Sequence, residues 1–198
     1  MATRDAMVRL QRVAEAAAAR KVDSTRHKCF VSYHADDMAA VEDFIETFGS
    51  EFLARSVGVT IEDDFIDSDS DEYIKRRIRE EYLTDSTVTI LLLGQCTWAR
   101  KFVDWEISSS LRNDTSNKRN GLLVYPLPSM NNKARLPGRV RDNWREGDTD
   151  ASYVRYLSYP TSSSVVRSNI EAAFNDRLDK SDLVDNSREL KKSNSACT

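Results

Sequence analysis

Few residues in this chain are placed to do chemistry, and the most informative is an acid among apolar neighbours. The segment 100–112 is expected to be a helix, because Val103, Ile107 and Leu111 recur at helical spacing with Phe102 on their flank. Glu106 projects between Phe102 and Val103, inside that apolar arc. A carboxylate there is expected to be partly buried, and a buried charge is costly unless it is paired or used. Two readings stay open on the residues alone. One is a structural ion pair, with Arg100 or Lys101 as nearby candidates; the other is a working carboxylate, since perturbed acids gather at functional sites.

Other constellations fail on inspection. Asp67, Asp69 and Asp71, in the acidic run from Glu62 to Glu72, have the first, third and fifth places of an EF-hand loop. Glu72 then replaces the required Gly, and Ile78 replaces the closing Glu. The run reads as a solvated loop whose last acids favour the N-terminus of the next helix. No G-x-G-x-x-G, no G-x-x-x-x-G-K-[ST] and no G-x-S-x-G occurs, which excludes glycine-rich phosphate cradles and a nucleophile elbow. His27 and His34 are the two histidines, and Cys29, Cys96 and Cys197 are scattered, so neither a metal site nor a disulfide framework is expected. The balance of 29 basic and 32 acidic side chains, net −3, gives no support to nucleic-acid binding. No apolar run approaches the ~20 residues of a membrane span, and no apolar core of a secretory signal follows Arg4, Arg9 and Arg12. A cytoplasmic protein of a reducing compartment is expected.

The elements that must position Glu106 alternate. An Ala-rich helix over 7–22, within an N-terminal extension 1–26, is expected to pack weakly and to be either a bland appendage or a partner-binding arm. Strands are expected at 29–33, 57–61, 87–93, 121–126 and, short, at 153–158. The run Thr87–Leu93 is an almost uninterrupted apolar, β-branched and Leu stretch, as in a strand buried on both faces. Helical spacing appears at Met38, Val41, Phe44, Ile45, Phe48 and Phe52, at Tyr73, Ile74, Ile78 and Tyr82, and from Val165 to Leu178. Residues 127–151 read as irregular, with Arg135, Arg139, Arg141 and Arg145 clustered there for no evident reason. The alternation implies an α/β domain over 27–178. Its form is a flavodoxin-like three-layer sandwich whose central parallel sheet has about five strands in the order 2-1-3-4-5. Ligands of such sheets lie beyond the carboxyl ends of the strands at the switch point, here after Tyr33. The tail 179–198 is polar and expected to be disordered.

Several boxes in order carry a resemblance. Phe30-Val31-Ser32-Tyr33-His34 with Asp36-Asp37 resembles the first box of Toll/interleukin-1 receptor (TIR) domains. Asp85 to Gly94 resembles their third strand. Thr97 to Ile107 falls where the family has its W-C-x-x-E box, with Phe102 for Trp, Val103 for Cys and Glu106 for Glu. From Tyr73 to Ile107 the chain is similar to the prokaryotic TIR-like family that includes the TIR subunit of Thoeris anti-phage systems.

The resemblance implies cleavage of the nicotinamide–ribose bond of NAD, with NAD as substrate and no further cofactor. It also implies an ADP-ribose or cyclic ADP-ribose-type signal. Glu106 would be catalytic; Phe30, Ser32, Tyr33, His34, Asp64, Trp98 and Arg100 would bind substrate. Trp98 is a candidate stacking platform or a packing residue, Phe30 reads equally as core, and His34 or Arg100 would assist at the pyrophosphate. Partners implied are a homo-oligomer, a downstream effector reached through the nucleotide signal, and a phage-protein trigger. The alternative is a non-catalytic TIR-like scaffold or sensor working by assembly. A phosphoacceptor receiver domain fits poorly, because Leu93-Gly94-Gln95 ends the third strand without an Asp.

Overall fold

The computed structural model describes residues 4–19, 26–57, 85–113, 118–131 and 133–197, with isolated positions between 70 and 83. The chain runs α1 (Arg4–Ala19), β1 (Lys28–Ser32), α2 (Met38–Phe48), β2 (Leu53–Val57), β3 (Val88–Leu93), α3 (Lys101–Leu111), β4 (Gly121–Pro126), α4 (Gly138–Asp142), β5 (Arg155–Tyr156) and α5 (Ser163–Asp179). Among the described residues five strands form one sheet in the order β2-β1-β3-β4-β5, with each pairing parallel. This is the α/β flavodoxin-like arrangement expected of the alternation. All six residues of β3 are buried, as are all six of β4. Each fully buried Leu, Ile or Val there contributes about 1.5–3 kcal/mol. Phe44, Ile45 and Phe48 of α2 and Val166, Ile170 and Ala173 of α5 cover one face of the sheet; Val103, Ile107 and Leu111 of α3 and Val140 of α4 cover the other.

Several expectations need correction. Strand β2 ends at Val57, where the second strand was expected to begin. Parallel pairing with β1, Lys28 opposite Leu53 and Cys29 opposite Ala54, selects the less apolar segment. Among the described positions between 70 and 83, Tyr73, 76–78 and Glu80 are helical and Ile78 is buried, in keeping with the expected helix. The irregular stretch after β4 contains the short helix α4.

The N-terminal helix docks instead of hanging free. Leu10, Ala14 and Ala17 are buried against α2 and β2. Alanine methyls allow the close approach, and Gly49 completes it: a Cβ there would lie 2.8 Å from that of Ala17.

The polar tail is ordered over the described residues to 197. It runs along α3 toward the N-terminus of that helix, and Leu190 is buried beside Phe30, Ile78, Leu83 and Trp105. Arg139 of α4 is fully buried and explains the attachment. It donates to both carboxylate oxygens of Asp104 on α3 (3.2 and 3.4 Å), to Asn186 (2.8 Å), and to the carbonyls of Arg188 (2.9 Å) and Glu189 (3.3 Å). The tail thus supplies hydrogen-bond acceptors, which polarity alone does not distinguish from disorder. Trp105 Nε1 donates to the Lys191 carbonyl (2.9 Å), and the Ser195 N–H donates to the Ala99 carbonyl (2.9 Å). Cys96 and Cys197, expected to be unpaired, form a disulfide across 101 residues of sequence, a pairing uncommon in reducing compartments. Cys29 stays a free, buried thiol whose pKa burial raises.

Candidate functional site

The site grows from the alternation of β1. Phe30 and Ser32 share one face of the strand and point toward α3, while Val31 joins the core on the α2 side. Helix α3 begins just after the carboxyl end of β3, so its second turn passes over that face. There Ser32 Oγ donates to Glu106 Oε2 at 2.5 Å, and both side chains are buried, Ser32 fully and Glu106 at 2% exposure. Charge assistance accounts for a bond at the short end of the O–H···O⁻ range.

Helix α3 is not the amphipathic helix its spacing predicts. Every residue from Val103 to Leu111 is buried, because β1, α4 and the tail surround it. Ser108, Ser109 and Ser110 make this possible as small polar residues; Ser110 Oγ, for example, donates to the Glu106 carbonyl (2.8 Å). Neither Arg100 nor Lys101 forms the ion pair with Glu106 that the sequence left open. Lys101 Nζ lies 5.1 Å from the ring centroids of both Phe102 and Trp105. Arg100 stands near His34 and Asp37.

The turn after β1 closes over the site. Tyr33 is buried and its hydroxyl approaches Met38 Sδ (3.6 Å). Burial first, and then the charge of Glu106, raise the Tyr33 pKa, so its hydroxyl stays protonated. His34 Nε2 lies 3.2 Å from Asp36 Oδ2 without hydrogen-bond alignment. Burial and the charge of Arg100 lower its pKa against the opposing pull of Asp36, which favours the neutral imidazole. Asp37 is raised by burial, opposed by its hydrogen bond from Thr97.

Gly94, directly after β3, holds these loops together. Its N–H donates to Thr97 Oγ1 (2.9 Å), and that hydroxyl donates to Asp37 Oδ2 (3.4 Å). A Cβ at position 94 would stand 2.0 Å from Asp37 Oδ2, so only glycine admits the contact.

The structure therefore brings Ser32, Tyr33 and Glu106 together, with His34 and Arg100 at the turn beyond them. Phe30 lies in the apolar cluster of Trp105 and Leu190, a packing position beneath the site. Trp98 is half-buried; the Arg135 guanidinium lies 3.4 Å over the centre of its ring and occupies one face. Asp64 lies outside the described residues. Sequence reasoning missed Asp37, Thr97 and Gly94 as one connected unit, although a glycine directly after an apolar strand signals close backbone approach. It also missed Asp104, Arg135 and Lys191. Nothing in the spacing of those three connects them.

No helix among the described residues is long and apolar enough to cross a membrane, and none of their His, Cys, Asp and Glu side chains cluster as a metal site would require. Comparison with curated proteins finds no match. Residues 30–132 match the family model described as Thoeris protein ThsB, TIR-like domain, just over half of the chain. The matched span opens with the strand that carries Ser32 and contains the helix that carries Glu106. The chain belongs to the Thoeris ThsB TIR-like family, and is a TIR domain of an anti-phage defence system.

Proposed function

We propose that this chain cleaves the nicotinamide–ribose bond of NAD, with Glu106 as the catalytic carboxylate. The observation that carries the reading is a buried acid held by Ser32 at the carboxyl end of β1, beside the switch point of the sheet. Nicotinamide leaves as a neutral pyridine and takes the electron pair of the broken C–N bond, so no general acid is required at the leaving group. One carboxylate suffices to accept hydrogen bonds from the ribose hydroxyls and to stabilise the positive charge that develops on the ribose. Its low-dielectric surroundings strengthen that attraction.

Ser32 fixes the carboxylate and Tyr33, kept protonated, adds no second charge. Water captures the ribosyl cation and loses a proton, giving ADP-ribose; an internal nucleophile gives a cyclic product instead. NAD enters as substrate, with no resident cofactor. The same reading puts the protein in the cytoplasm, where the Cys96–Cys197 disulfide is an uncommon feature, as a homo-oligomer set off by a phage protein and answered by an effector that reads the nucleotide.

The experiment is incubation of concentrated protein with NAD, followed by chromatography. Nicotinamide together with ADP-ribose or a cyclic isomer supports the reading. Intact NAD after incubation with crowding agent and after co-expression with a phage trigger protein returns the chain to a scaffold role.

A further inference from the structure

Three cations from three separate segments converge where the tail crosses the loop between β3 and α3. Arg135, from the stretch before α4, stacks over Trp98, which orients its guanidinium. Lys191, from the tail, places its Nζ 5.9 Å from the centre of the same ring and donates to the Ala99 carbonyl (3.1 Å) and to Ser195 Oγ (2.8 Å). Two of its three N–H groups are thereby used and one remains. Arg100 completes the group; its Nε is buried and hydrogen-bonded by nothing among the described residues.

None of the three forms an ion pair among the described residues. Asp104, the carboxylate that acts on Lys191, already accepts from Arg139 and from the Lys191 backbone N–H (3.0 Å). Burial lowers the Lys191 pKa, and the charges of Arg135 and Arg100 lower it further against the pull of Asp104. Arg135 is exposed and Arg100 and Lys191 are half-buried, and gathering three like charges around one ring costs stability unless an anion offsets it.

We propose that Arg100, Arg135 and Lys191 form a binding site for the diphosphate of a dinucleotide, completed by the C-terminal tail. Arg100 precedes Glu106 by six residues, about 9 Å along the helix axis. That separation is within the span of a dinucleotide whose ribose meets Glu106. The guanidiniums offer paired donors that match phosphate oxygens, and the ammonium acts as a point charge. The ligand's identity rests on the NAD reading; the anion site itself does not.

The test is calorimetric titration of the full chain with inorganic pyrophosphate and, separately, with ADP-ribose, at one fixed ionic strength. Wild type binds both. Arg135→Gln and Lys191→Met each weaken both by about tenfold, equal to about 1.4 kcal/mol, and Lys191→Arg retains most of the affinity. Arg135→Gln leaves every hydrogen bond of the tail in place, so its loss reports on charge and not on a detached tail. Pyrophosphate affinity that is equal in wild type and both variants, or absent from wild type, overturns the proposal. Pyrophosphate binding that depends on Arg135 and Lys191 in a protein that leaves NAD intact sustains the anion site and sinks the catalytic reading.

Discussion

Arg139→Met removes a fully buried guanidinium and leaves the Asp104 carboxylate, 5% exposed, with the Lys191 N–H as its remaining hydrogen-bond donor. The carbonyls of Arg188 and Glu189 also lose their donor. Breaking one side of a buried pair costs about 3–5 kcal/mol, because the partner stays charged in a poor solvent. For a chain of this size that is a drop in Tm of roughly 6–20 °C. Urea denaturation followed by tryptophan fluorescence measures it, and Trp105 is a local probe because its indole N–H bonds the tail at Lys191. The double variant Arg139→Met, Asp104→Leu removes both charges and should recover a substantial part of the loss. A single variant within about 0.5 kcal/mol of wild type, the range of ordinary surface changes, would show that this pair does not fasten the tail to α3 and α4.

Three further outcomes are expected. Ser32→Ala deprives Glu106 of its hydroxyl donor at a cost of about 1–3 kcal/mol; nicotinamide release should fall with kcat affected more than KM, and an unchanged kcat would remove Ser32 from the machinery. Gly94→Ala drives a methyl into the Asp37 carboxylate and should destabilise by about 1–3 kcal/mol. Adding Asp37→Ala to it should restore much of that in thermal melts, unless the strain lies elsewhere. His34 has its pKa lowered in the folded state, so between that value and its unfolded value of about 6.5 the unfolded chain binds more protons. Stability should therefore decline as pH falls through 6.5, and His34→Gln should flatten that part of a pH series of urea titrations; an identical slope in the variant contradicts the assignment.

The layers of this fold were legible because the dominant signals are periodic and local. The almost apolar, β-branched run of β3 read as a strand covered on both faces, and the spacing in α2 and α5 marked helices with one buried side. From that alternation the switch point followed, and with it the place of Ser32 and Tyr33. Glu106 was legible as an acid out of place on an apolar arc. What could not be read depended on contacts far apart in sequence. Arg139, Asp104 and the tail carbonyls satisfy one another across 35 to 50 positions, and each segment alone looks merely polar. The Ala-rich α1 misled for a related reason, since small side chains suggest weak packing until a glycine stands opposite them. Strand β2 was displaced because its register is set by β1 and not by its own composition.

The central claim is that Glu106 is the group that breaks the nicotinamide–ribose bond. The most direct measurement is the rate of nicotinamide release from NAD by wild type and by Glu106→Gln, which keeps the shape and a hydrogen-bond acceptor for Ser32 but removes the charge. Matched concentration and matched melting temperature make the rates comparable. The account predicts release by wild type and a loss of at least about a hundredfold in the variant, the scale for removing one preorganised electrostatic stabiliser. Release at the same rate by both proteins would contradict it.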